Sequence, residues 1–560
     1  MDRPRLPPTV TGHAAFLKLL ADEGVTHLFG NPGTTELAIM EAVSKQVDLG
    51  YVLGLQEGVV VAMADGYARA SGRLAAANVH VAPGLGNAMG ALYSAKFYGS
   101  PIILTAGQQE QGHGLTEPML YAPLVPIAQP LAKWAVEVTR LEDLPRIVHR
   151  AAKVALTPPT GPVFISLPGD ILDAEAPLDL GRPTRVDAAM RPSDATVERL
   201  AERLLEARNP VLIAAHELSK RDALSEAAEL AELLGAGVWQ ETIPYSANFL
   251  SAHPAFLGTL TRSQPQVRAA LERHDLVVCL GGELLRMSVH HPLDALPEGM
   301  PVVQISERDW ELGKNHPTEL AIRADVRETL RALNGTLRAR MSAAQKEAAA
   351  RRLAALAGDN WSAKNARARE EALKAAAAKP IDPRYLMMQI ADALPAEAVL
   401  VEEALTTSAS LPAHLRQRDR QGYYGLASGG IGFAVAGAVG ISLALPQRPV
   451  VALVGDGSAL YSIQALWTAA HLKRPITYVI ANNRSYRILK ERLVSFRRTD
   501  RFVGMDLREP EIDFVRLATS LGVPARRIVD PQGILPALRE GIASGVPNLL
   551  DVAVADGFGG

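Results

Sequence analysis

Two loops near the C-terminus carry oxygen-bearing side chains that suit a metal ion. Asp456 lies in a Gly-Asp-Gly-Ser motif after the apolar run 450–454, and Asn483 follows the apolar run 476–480. If both runs are parallel strands, their carboxyl ends share one sheet edge, where open α/β folds bind ligands. Carboxylate and amide oxygens suit Mg²⁺ or Ca²⁺, and a helix beginning near Ser458 favours phosphate. The pair predicts a divalent ion bridging the protein to a diphosphate, although Gly-Asp-Gly alone is more typical of a turn.

Three further candidates lie in the first 100 residues. Glu57 stands between the apolar run 51–55 and an apolar helix, so a buried carboxylate there needs a partner; alternatively, it caps the helix. His80 follows the run 75–79 and can transfer protons near neutral pH, unless it is a structural histidine. Thr34 lies in a Gly- and Pro-containing loop that begins a helix, where it is either a site residue or an N-cap.

The elements that position these residues follow a βαβ pattern. Apolar runs alternate with helical stretches in three groups, so we predict three doubly wound parallel-sheet α/β domains at 1–180, 190–340 and 375–560. Segments 176–192 and 343–379 separate them, and the second suits a long helix or helical linker. The first and last groups are compatible with related folds. Predicted strands are 26–29, 51–55, 75–79, 101–106, 163–167, 211–215, 276–280, 302–305, 398–401, 450–454, 476–480 and 549–554.

Composition argues against several classes of protein. Hydrophobic residues make up 48% and charged residues 21% of the 560 residues, as in ordinary globular proteins. The net charge of −2 gives no global field that favours nucleic acid or an anionic membrane. Residues 1–10 lack the apolar region of a signal peptide, and the longest apolar run, 433–445, is shorter than the ~20 residues of a membrane helix. The lone cysteine, Cys279, is expected in the core. These observations predict a soluble cytoplasmic protein.

Together and in this order, these clusters resemble the thiamine-diphosphate (ThDP)-dependent enzymes, which include benzoylformate decarboxylase, acetolactate synthase and pyruvate decarboxylase. The similarity covers essentially the whole chain and is strongest to the benzoylformate decarboxylase branch. It implies a pyrimidine-binding, a central Rossmann-like and a diphosphate-binding domain, with ThDP and Mg²⁺ as cofactors. It also implies a homodimer at least, with ThDP between subunits, and commonly a homotetramer. The segments that carry the resemblance are 30–33, 55–57, 64–68, 86–92, 105–109, 455–458 and 465–470.

The resemblance implies roles by position. Glu57 is similar to the glutamate that hydrogen-bonds the pyrimidine N1′, and His80 and Thr34 are similar to residues that handle the substrate carboxylate and protons. The implied reaction is the non-oxidative decarboxylation of a 2-oxo acid to an aldehyde and CO₂, which carboligation can accompany. The alternative is an acetolactate synthase-like or aldehyde-joining carboligase. The implied metal ligands are Asp456, Asn483 and Ser485, and the further cofactor contacts are Thr406, Gly429, Ile431, Gly457, Ser458 and Tyr486.

The sequence departs from this family around the expected substrate pocket. Thr34 replaces a serine, and Gly425 and Arg492 stand where aromatic residues are expected. Because arginine binds carboxylates and phosphates bidentately, Arg492 or Lys490 favours a substrate with an anionic substituent; a solvated basic helix face is the alternative. A second active-site histidine has no clean match. The candidate pocket residues are Gly425, Ile488, Leu489, Arg492, His290 and His291.

Overall fold

Three six-stranded parallel β-sheets follow one another along the chain. The computed structural model describes residues 8–45 and 49–558, and each sheet takes all its strands from one consecutive part of the chain. The predicted fold class, three doubly wound α/β domains, is confirmed. The sheets lie inside the predicted limits 1–180, 190–340 and 375–560, and those limits themselves stay a prediction.

The N-terminal sheet consists of short, mostly buried strands joined by helices. The strands of this part of the chain are β1 (Thr9–Thr11), β2 (His27–Gly30), β3 (Gly50–Leu53), β4 (Ala75–Val79), β5 (Ile102–Gln108), β6 (Ala135–Glu137), β7 (Val163–Pro168) and β8 (Glu175–Pro177), and the sheet contains β2 to β7. Its helices are α1 (Gly12–Asp22), α2 (Leu37–Lys45), α3 (Glu57–Ser71), α4 (Val81–Tyr98), α5 (Leu124–Ala128), α6 (Leu144–Leu156) and α7 (Gly169–Asp173). The strand order is β3-β2-β4-β5-β7-β6, and β1 pairs with β8 in a separate antiparallel ribbon.

The central sheet has the strand order of a Rossmann fold. Its strands are β9 (Pro210–Ala214), β10 (Gly237–Gln240), β11 (Phe256–Thr259), β12 (Leu276–Leu280), β13 (Val302–Ser306) and β14 (Leu320–Arg323). The helices of this part are α8 (Asp194–Glu206), α9 (His216–Lys220), α10 (Leu224–Leu234), α11 (Gln264–Leu271), α12 (Val326–Arg340), α13 (Ala343–Ala355) and α14 (Trp361–Leu373). The order β11-β10-β9-β12-β13-β14 corresponds to 3-2-1-4-5-6.

The C-terminal sheet repeats the strand order of the N-terminal one. Its strands are β15 (Val399–Glu403), β16 (Tyr423–Gly425), β17 (Val450–Gly455), β18 (Ile476–Asn482), β19 (Ala525–Ile528) and β20 (Asn548–Ala553). Its helices are α15 (Pro383–Ala393), α16 (Leu411–His414), α17 (Ala434–Ala444), α18 (Asp456–Ala459), α19 (Ala465–His471), α20 (Arg487–Arg497), α21 (Phe514–Ser520) and α22 (Ile534–Ala543). Its order is β16-β15-β17-β18-β20-β19. Numbered within each six-stranded sheet, both terminal sheets run 2-1-3-4-6-5, so the two folds share one topology.

Two parts of the secondary-structure prediction need correction. Segment 343–379, predicted as a long helix or a helical linker, is helical but forms two helices, α13 and α14, because a turn separates them and the Asn360 side chain caps α14; only the single long helix is wrong. The sequence pattern also does not predict eight strands. Two of them, β1 and β8, form the separate ribbon, and the other six are β6, β10, β11, β14, β16 and β19. Each has only three or four residues, too few for a clear periodicity, and all but β10 lie at sheet edges.

Two predictions from composition concern the lone cysteine and membrane-spanning helices. Cys279 lies on β12, is fully buried and is unpaired, which confirms its expected place in the core. Across the part of the chain that the structure describes, no helix combines the length and the apolar character needed to cross a membrane.

Helices α3 and α17 join the two terminal sheets through glycine contacts. A Cβ atom at Gly66 would overlap the carbonyl oxygen of Gly437, and one at Gly440 would overlap the carbonyl oxygen of Met63. The helices therefore approach backbone to backbone, and their apolar side chains form one core with strands of both sheets. We call the N-terminal sheet with its helices the N-terminal lobe and the C-terminal sheet with its helices the C-terminal lobe. A larger residue at either contact would separate the two lobes.

Arg69 on α3 joins the N-terminal lobe to β16. Its guanidinium forms a buried ion pair with Asp65 and donates to the Gly425 carbonyl, with an Nη1–O distance of 3.2 Å. It also lies over the rings of Phe433 and Tyr98, at 4.1 and 4.4 Å from their centroids. Because a buried ion pair needs such added partners to offset desolvation, this cluster fixes the relative position of the lobes.

The helix contact leads to a stability prediction. Gly440→Ala should destabilise the protein by roughly 2 kcal/mol because the added methyl group overpacks a backbone contact, and it should lower the apparent midpoint of thermal unfolding by several degrees. Gly335→Ala on α12 is the matched control, since no atom lies within 4 Å of its Cβ position and alanine favours a helix interior by about 1 kcal/mol. Equal midpoints for the two variants would contradict the proposed contact.

Candidate active site

The candidate residues lie where the strand order of each terminal sheet reverses. In a 2-1-3-4-6-5 sheet the reversal lies between strands 1 and 3, and the loops after these strands form the ligand crevice. In the N-terminal sheet these loops follow β2, where Thr34 lies, and β4, where His80 lies. In the C-terminal sheet they follow β15, where Thr406 lies, and β17, where Asp456 lies. The topology therefore provides one crevice in each lobe.

Asp456 and Asn483 converge on a single backbone amide. The Ser485 N–H lies 3.2 Å from Asp456 Oδ2 and 2.9 Å from Asn483 Oδ1, so the two oxygens are close to each other. The Asn483 amide nitrogen donates to Thr407 Oγ1 at 3.2 Å, which fixes the direction of its oxygen. All of these residues are buried. The structure thus brings together the three predicted metal ligands.

The donor set is poor in charge for a dedicated metal cage. Among residues 8–45 and 49–558 there is no group of three or more His, Cys, Asp or Glu side chains able to hold a metal ion. Asp456 is the one carboxylate at this loop pair, and Asn483 adds a neutral oxygen. Mg²⁺ commonly binds through one or two carboxylates together with ligand phosphates. The loops therefore fit an ion that arrives with a diphosphate.

Gly457 provides close access to the backbone beside Asp456. A Cβ atom at Gly457 would lie 2.6 Å from Tyr486 Cε1, so the Tyr486 ring covers this turn. Ser458 is buried, and the helix in which it lies, α18, has only four residues. The predicted helix start near Ser458 is thus confirmed as a single turn, and a helix N-terminus suits a phosphate oxygen.

Glu403 holds the loop that carries Gly429 and Ile431, and the sequence analysis did not single it out. Its fully buried carboxylate accepts hydrogen bonds from the backbone amides of Gly432 and Ala434. Burial raises the pKa of Glu403 to about 7, although these amides oppose the shift. The signal that could have identified it is an acidic residue at the end of an apolar strand, directly before the Thr406 loop.

Glu57 is the first residue of α3. The helix cap is the Gln56 side chain, which accepts from the Val59 amide, so the alternative interpretation of Glu57 as the cap is wrong. Its carboxylate is nearly buried, and Oε2 accepts a 3.0 Å hydrogen bond from Asn87 Nδ2. Within the described chain, Oε1 has no hydrogen-bond partner. The geometry leaves this oxygen free for a ligand, and Gly84 leaves room beside it.

His80 contacts Thr35 and Glu36 rather than Thr34. His80 Nδ1 lies 2.8 Å from Glu36 Oε2 and 3.2 Å from Thr35 Oγ1. Thr34 is exposed, and the short helix of residues 34–36 is preceded by Gly33, so the alternative of Thr34 as the N-cap is wrong. His80 and Thr34 both follow strands at the N-terminal crevice, and the contact of Nδ1 with Glu36 fixes the position of the His80 ring.

Backbone strain marks three of the candidate loops. Val81, Leu405 and Arg484 have positive φ angles of 39°, 52° and 55°, a region that residues with a Cβ seldom adopt. They lie next to His80, next to Thr406, and between Asn483 and Ser485. Strain of this kind persists only where the surrounding structure imposes it, and it is commonly found at functional sites.

Gly425 and the two histidines lie apart from these clusters. The Gly425 amide donates to Tyr245 of the central part, and its carbonyl accepts from Arg69, so both backbone groups serve contacts between lobes. His290 and His291 are exposed beside a cleft of about 480 Å³ on the central part. A role for any of the three in substrate binding stays a prediction.

Arg492 lies on α20, which begins directly after Tyr486. Its guanidinium lies 5.4 Å from the Phe496 ring centroid, and no carboxylate of the described chain pairs with it. Its neighbours differ, because Arg487 pairs with Glu491 and the buried Lys490 pairs with Asp506. Ile488 is half-buried and Leu489 exposed on the same helix. Arg492 is therefore a cation without an ion-pair partner among the described residues, whereas Lys490 is already neutralised.

The two groups of candidate residues remain separate within one chain. Hydrogen bonds join Glu57 only to the N-terminal lobe and Asp456 only to the C-terminal lobe, as far as the described residues extend.

Three family models match the chain along its length. They are described as the N-terminal TPP binding domain, the central domain and the C-terminal TPP binding domain of thiamine pyrophosphate enzymes. They cover residues 10–119, 197–333 and 406–552, respectively.

Individual relatives agree with these matches. A benzoylformate decarboxylase from Pseudomonas aeruginosa is 34% identical over 97% of this chain and 98% of that protein. A putative acetolactate synthase large subunit from Mycobacterium tuberculosis is 27% identical over 97% of this chain and 99% of its own length. Among solved structures, the ThDP-dependent 4-hydroxybenzoylformate decarboxylase of Rhodococcus jostii RHA1 has a TM-score of 0.86 and 32% identity. The similarity covers 98% of this chain and 99% of that one.

The metal loops lead to a prediction about pH. Burial raises the pKa of Asp456 to about 6, against the effect of nearby backbone amides. A cation binds the carboxylate, and the protonated fraction grows as pH falls, so Mg²⁺-dependent ThDP binding should weaken below pH 6, by about tenfold per pH unit. Calorimetry between about pH 5 and 8 measures this.

Two variants test the assignment to Asp456. Asp456→Asn should weaken binding and remove this pH dependence. Asp551→Asn makes the same change at another buried carboxylate, which Asn482 hydrogen-bonds outside the loops, and should retain the dependence. A wild-type pH profile in Asp456→Asn would contradict the assignment.

Proposed function

The chain belongs to the thiamine pyrophosphate enzyme family, and we propose that it catalyses the non-oxidative decarboxylation of a 2-oxo acid to an aldehyde and CO₂. The observation that carries this proposal is the full-length identity with benzoylformate decarboxylase, together with the similar fold of the 4-hydroxybenzoylformate enzyme. Both relatives are named as decarboxylases of 2-oxo acids. The intact Glu57, Asp456 and Asn483 support an active enzyme rather than a regulatory subunit.

The residues present fit the cofactor at both ends. Asp456, Asn483 and the Ser485 backbone suit Mg²⁺. The same proposal assigns Gly457, Ser458 and Thr406 to the diphosphate, and Gly429, Ile431 and Tyr486 to further cofactor contacts. The free Oε1 of Glu57 suits a hydrogen bond with a ring nitrogen of the cofactor, in which the two atoms would share one proton. When bound, ThDP supplies an electron sink for the carbanion that remains after CO₂ departs.

The residues of the chain have separate tasks in this reaction. Glu57 orients the pyrimidine end and holds a proton there, with Asn87 fixing its other oxygen. His80 presents Nε2 to the crevice, because Nδ1 faces Glu36, and is suited to move a proton near neutral pH. Thr34 offers an exposed hydroxyl to the substrate carboxylate.

We also propose that the active unit contains two or more copies of the chain. The support is the resemblance to ThDP-dependent enzymes, which implies that ThDP lies between subunits, with Glu57 contributed by the N-terminal part of one copy and Asp456 by the C-terminal part of another. A homodimer is the smallest such unit, and a homotetramer is the family-based expectation. A cytoplasmic location and the binding of neither nucleic acid nor membrane stay predictions.

A carboligase is the second candidate function. Its support is the acetolactate synthase relative, which is less similar to this chain than the decarboxylases are. Incubating the protein with a 2-oxo acid, with and without an acceptor aldehyde, distinguishes the two by product. A product that joins both reactants and replaces the free aldehyde would favour the carboligase.

The decarboxylase proposal is tested with a panel of aromatic, aliphatic, neutral and acidic 2-oxo acids. CO₂ release should need both ThDP and Mg²⁺. Glu57→Gln should lower kcat by roughly 100-fold or more, because a positioned acid–base group is lost. Glu137→Gln is the matched control, since Glu137 also accepts one hydrogen bond, from Ser166, but lies on the edge strand β6. Absence of CO₂ release across the panel would refute the proposal.

The unpaired Arg492 predicts a preference for substrates with a second anionic group. Arg492→Ala should lower kcat/KM for the preferred acidic 2-oxo acid by about 10- to 100-fold, since a charge-assisted hydrogen bond contributes about 1.5–3 kcal/mol, and should leave neutral substrates little affected. Arg497→Ala, an exposed arginine at the end of the same helix, is the control. Unchanged KM and kcat in Arg492→Ala would rule the preference out.

A further inference from the structure

We propose that Glu36 is a positioning residue that holds His80 in one tautomer and one orientation for the reaction. Glu36 was not among the predicted site residues. It is fully buried and is the last residue of the short helix 34–36, between β2 and α2. The inference rests on the proposed function for the role of His80, but the contact between the two residues stands by itself.

Four donors surround the Glu36 carboxyl group. Oε1 accepts from the Gly107 amide and from Thr35 Oγ1, both at 2.9 Å. Oε2 accepts from the Gly33 amide at 2.9 Å and lies 2.8 Å from His80 Nδ1. Because backbone amides only donate, both oxygens serve as acceptors. His80 Nδ1 is therefore the donor in its pair, which leaves Nε2 facing the crevice.

Two motif glycines make this arrangement sterically feasible. A Cβ atom at Gly33 would overlap the His80 ring at Nδ1, and one at Gly107 would overlap Glu36 Oε1. Both glycines lie in segments that carried the family resemblance, 30–33 and 105–109, and neither has a part in the cofactor contacts proposed above. The close packing of His80 against Gly33 and of Glu36 against Gly107 explains why glycine occupies these two positions.

The pair has a clear chemical consequence. When His80 takes a proton at Nε2, the ring becomes positive, and the buried carboxylate on the opposite side stabilises that charge. A His held by a buried carboxylate is also the arrangement in the serine-protease triad, where replacing the Asp by Asn leaves the geometry but lowers kcat by about 10⁴ through the wrong tautomer. An amide at position 36 would likewise present a donor to Nδ1 or to a backbone amide.

The same lobe contains a second buried Glu–His pair, which provides a matched control. Glu23 is fully buried, and its carboxylate contacts His149 Nδ1 at 2.5 Å and also pairs with Arg185. This pair lies among α1, α6 and residue 180, outside both crevices. Glu23→Gln therefore makes the same chemical change with the same burial but without contact to the site.

Kinetics form the first arm of the test. Glu36→Gln should lower kcat roughly 100-fold or more with little change in KM, whereas Glu23→Gln should keep both. In a double-variant cycle, Glu36→Gln in the His80→Ala background should have no further effect, because Glu36 acts through His80. Additive losses in the double variant would overturn the inference, since they would mean an independent structural effect.

Chemical labelling of the histidines forms a second arm that needs no activity. Diethyl pyrocarbonate reacts with an unprotonated ring nitrogen, and peptide mass spectrometry follows each histidine. At a fixed pH of about 6, Glu36→Gln should increase the labelling rate of His80 several-fold and leave His149 unchanged. Glu23→Gln should do the reverse. An unchanged His80 rate in Glu36→Gln would overturn the inference.

The two arms separate the possible failures. If the wild type decarboxylates no 2-oxo acid, the proposed function fails, while labelling still decides whether Glu36 holds His80. If His80→Ala retains full activity, the catalytic role of the pair is overturned. Should Glu36→Gln fail to fold by circular dichroism, Glu36→Asp retains the charge at a shorter reach, and its His80 rate should lie above that of the wild type; an equal rate would overturn the inference.

Discussion

The backbone contact between α3 and α17 determines how the rest of the molecule is arranged. Gly66, Gly437 and Gly440 let two apolar helices meet without intervening side chains, and this contact merges the cores of both terminal sheets. Each of these helices also begins at a candidate site, since α3 starts with Glu57 and α17 follows the loop pinned by Glu403. Close packing of the lobes and placement of the ligand-binding groups therefore depend on the same residues.

The shared topology of the terminal sheets explains why the site residues follow particular strands. In both sheets, the loops after the first and third strands face the crevice, but their chemistry differs. The N-terminal crevice contains a proton-transfer group, His80, and its buried acid Glu36, whereas the C-terminal crevice has Asp456 and Asn483 around one amide. One architecture thus serves two unlike ends of a bound molecule.

The three-sheet fold and the metal loops were largely predictable from the sequence. Buried parallel strands appear as short apolar runs, and the residues that follow them lie at one edge of the sheet. Asp456 and Asn483 follow long runs, and the structure brings their oxygens together as their spacing indicates. Glu36 and Glu403 were not predictable in this way, because their partners are backbone amides far away in sequence, such as Gly107 for Glu36. Edge strands such as β16 were missed because three residues carry no periodicity, and the orientation of Gly425 toward Tyr245 depends on packing between lobes.

The positive φ angles of Val81, Leu405 and Arg484 have a consequence for the evolvability of the enzyme. Each position stores about 1–2 kcal/mol that a glycine or asparagine would release, so selection for heat resistance alone would replace them. Because these residues lie beside His80, Thr406 and Ser485, the strain is the energetic cost of the loop shape at these places. Variants chosen only for a higher melting temperature would tend to relax these loops, and stabilising substitutions are better sought on the outer faces of α12 to α14.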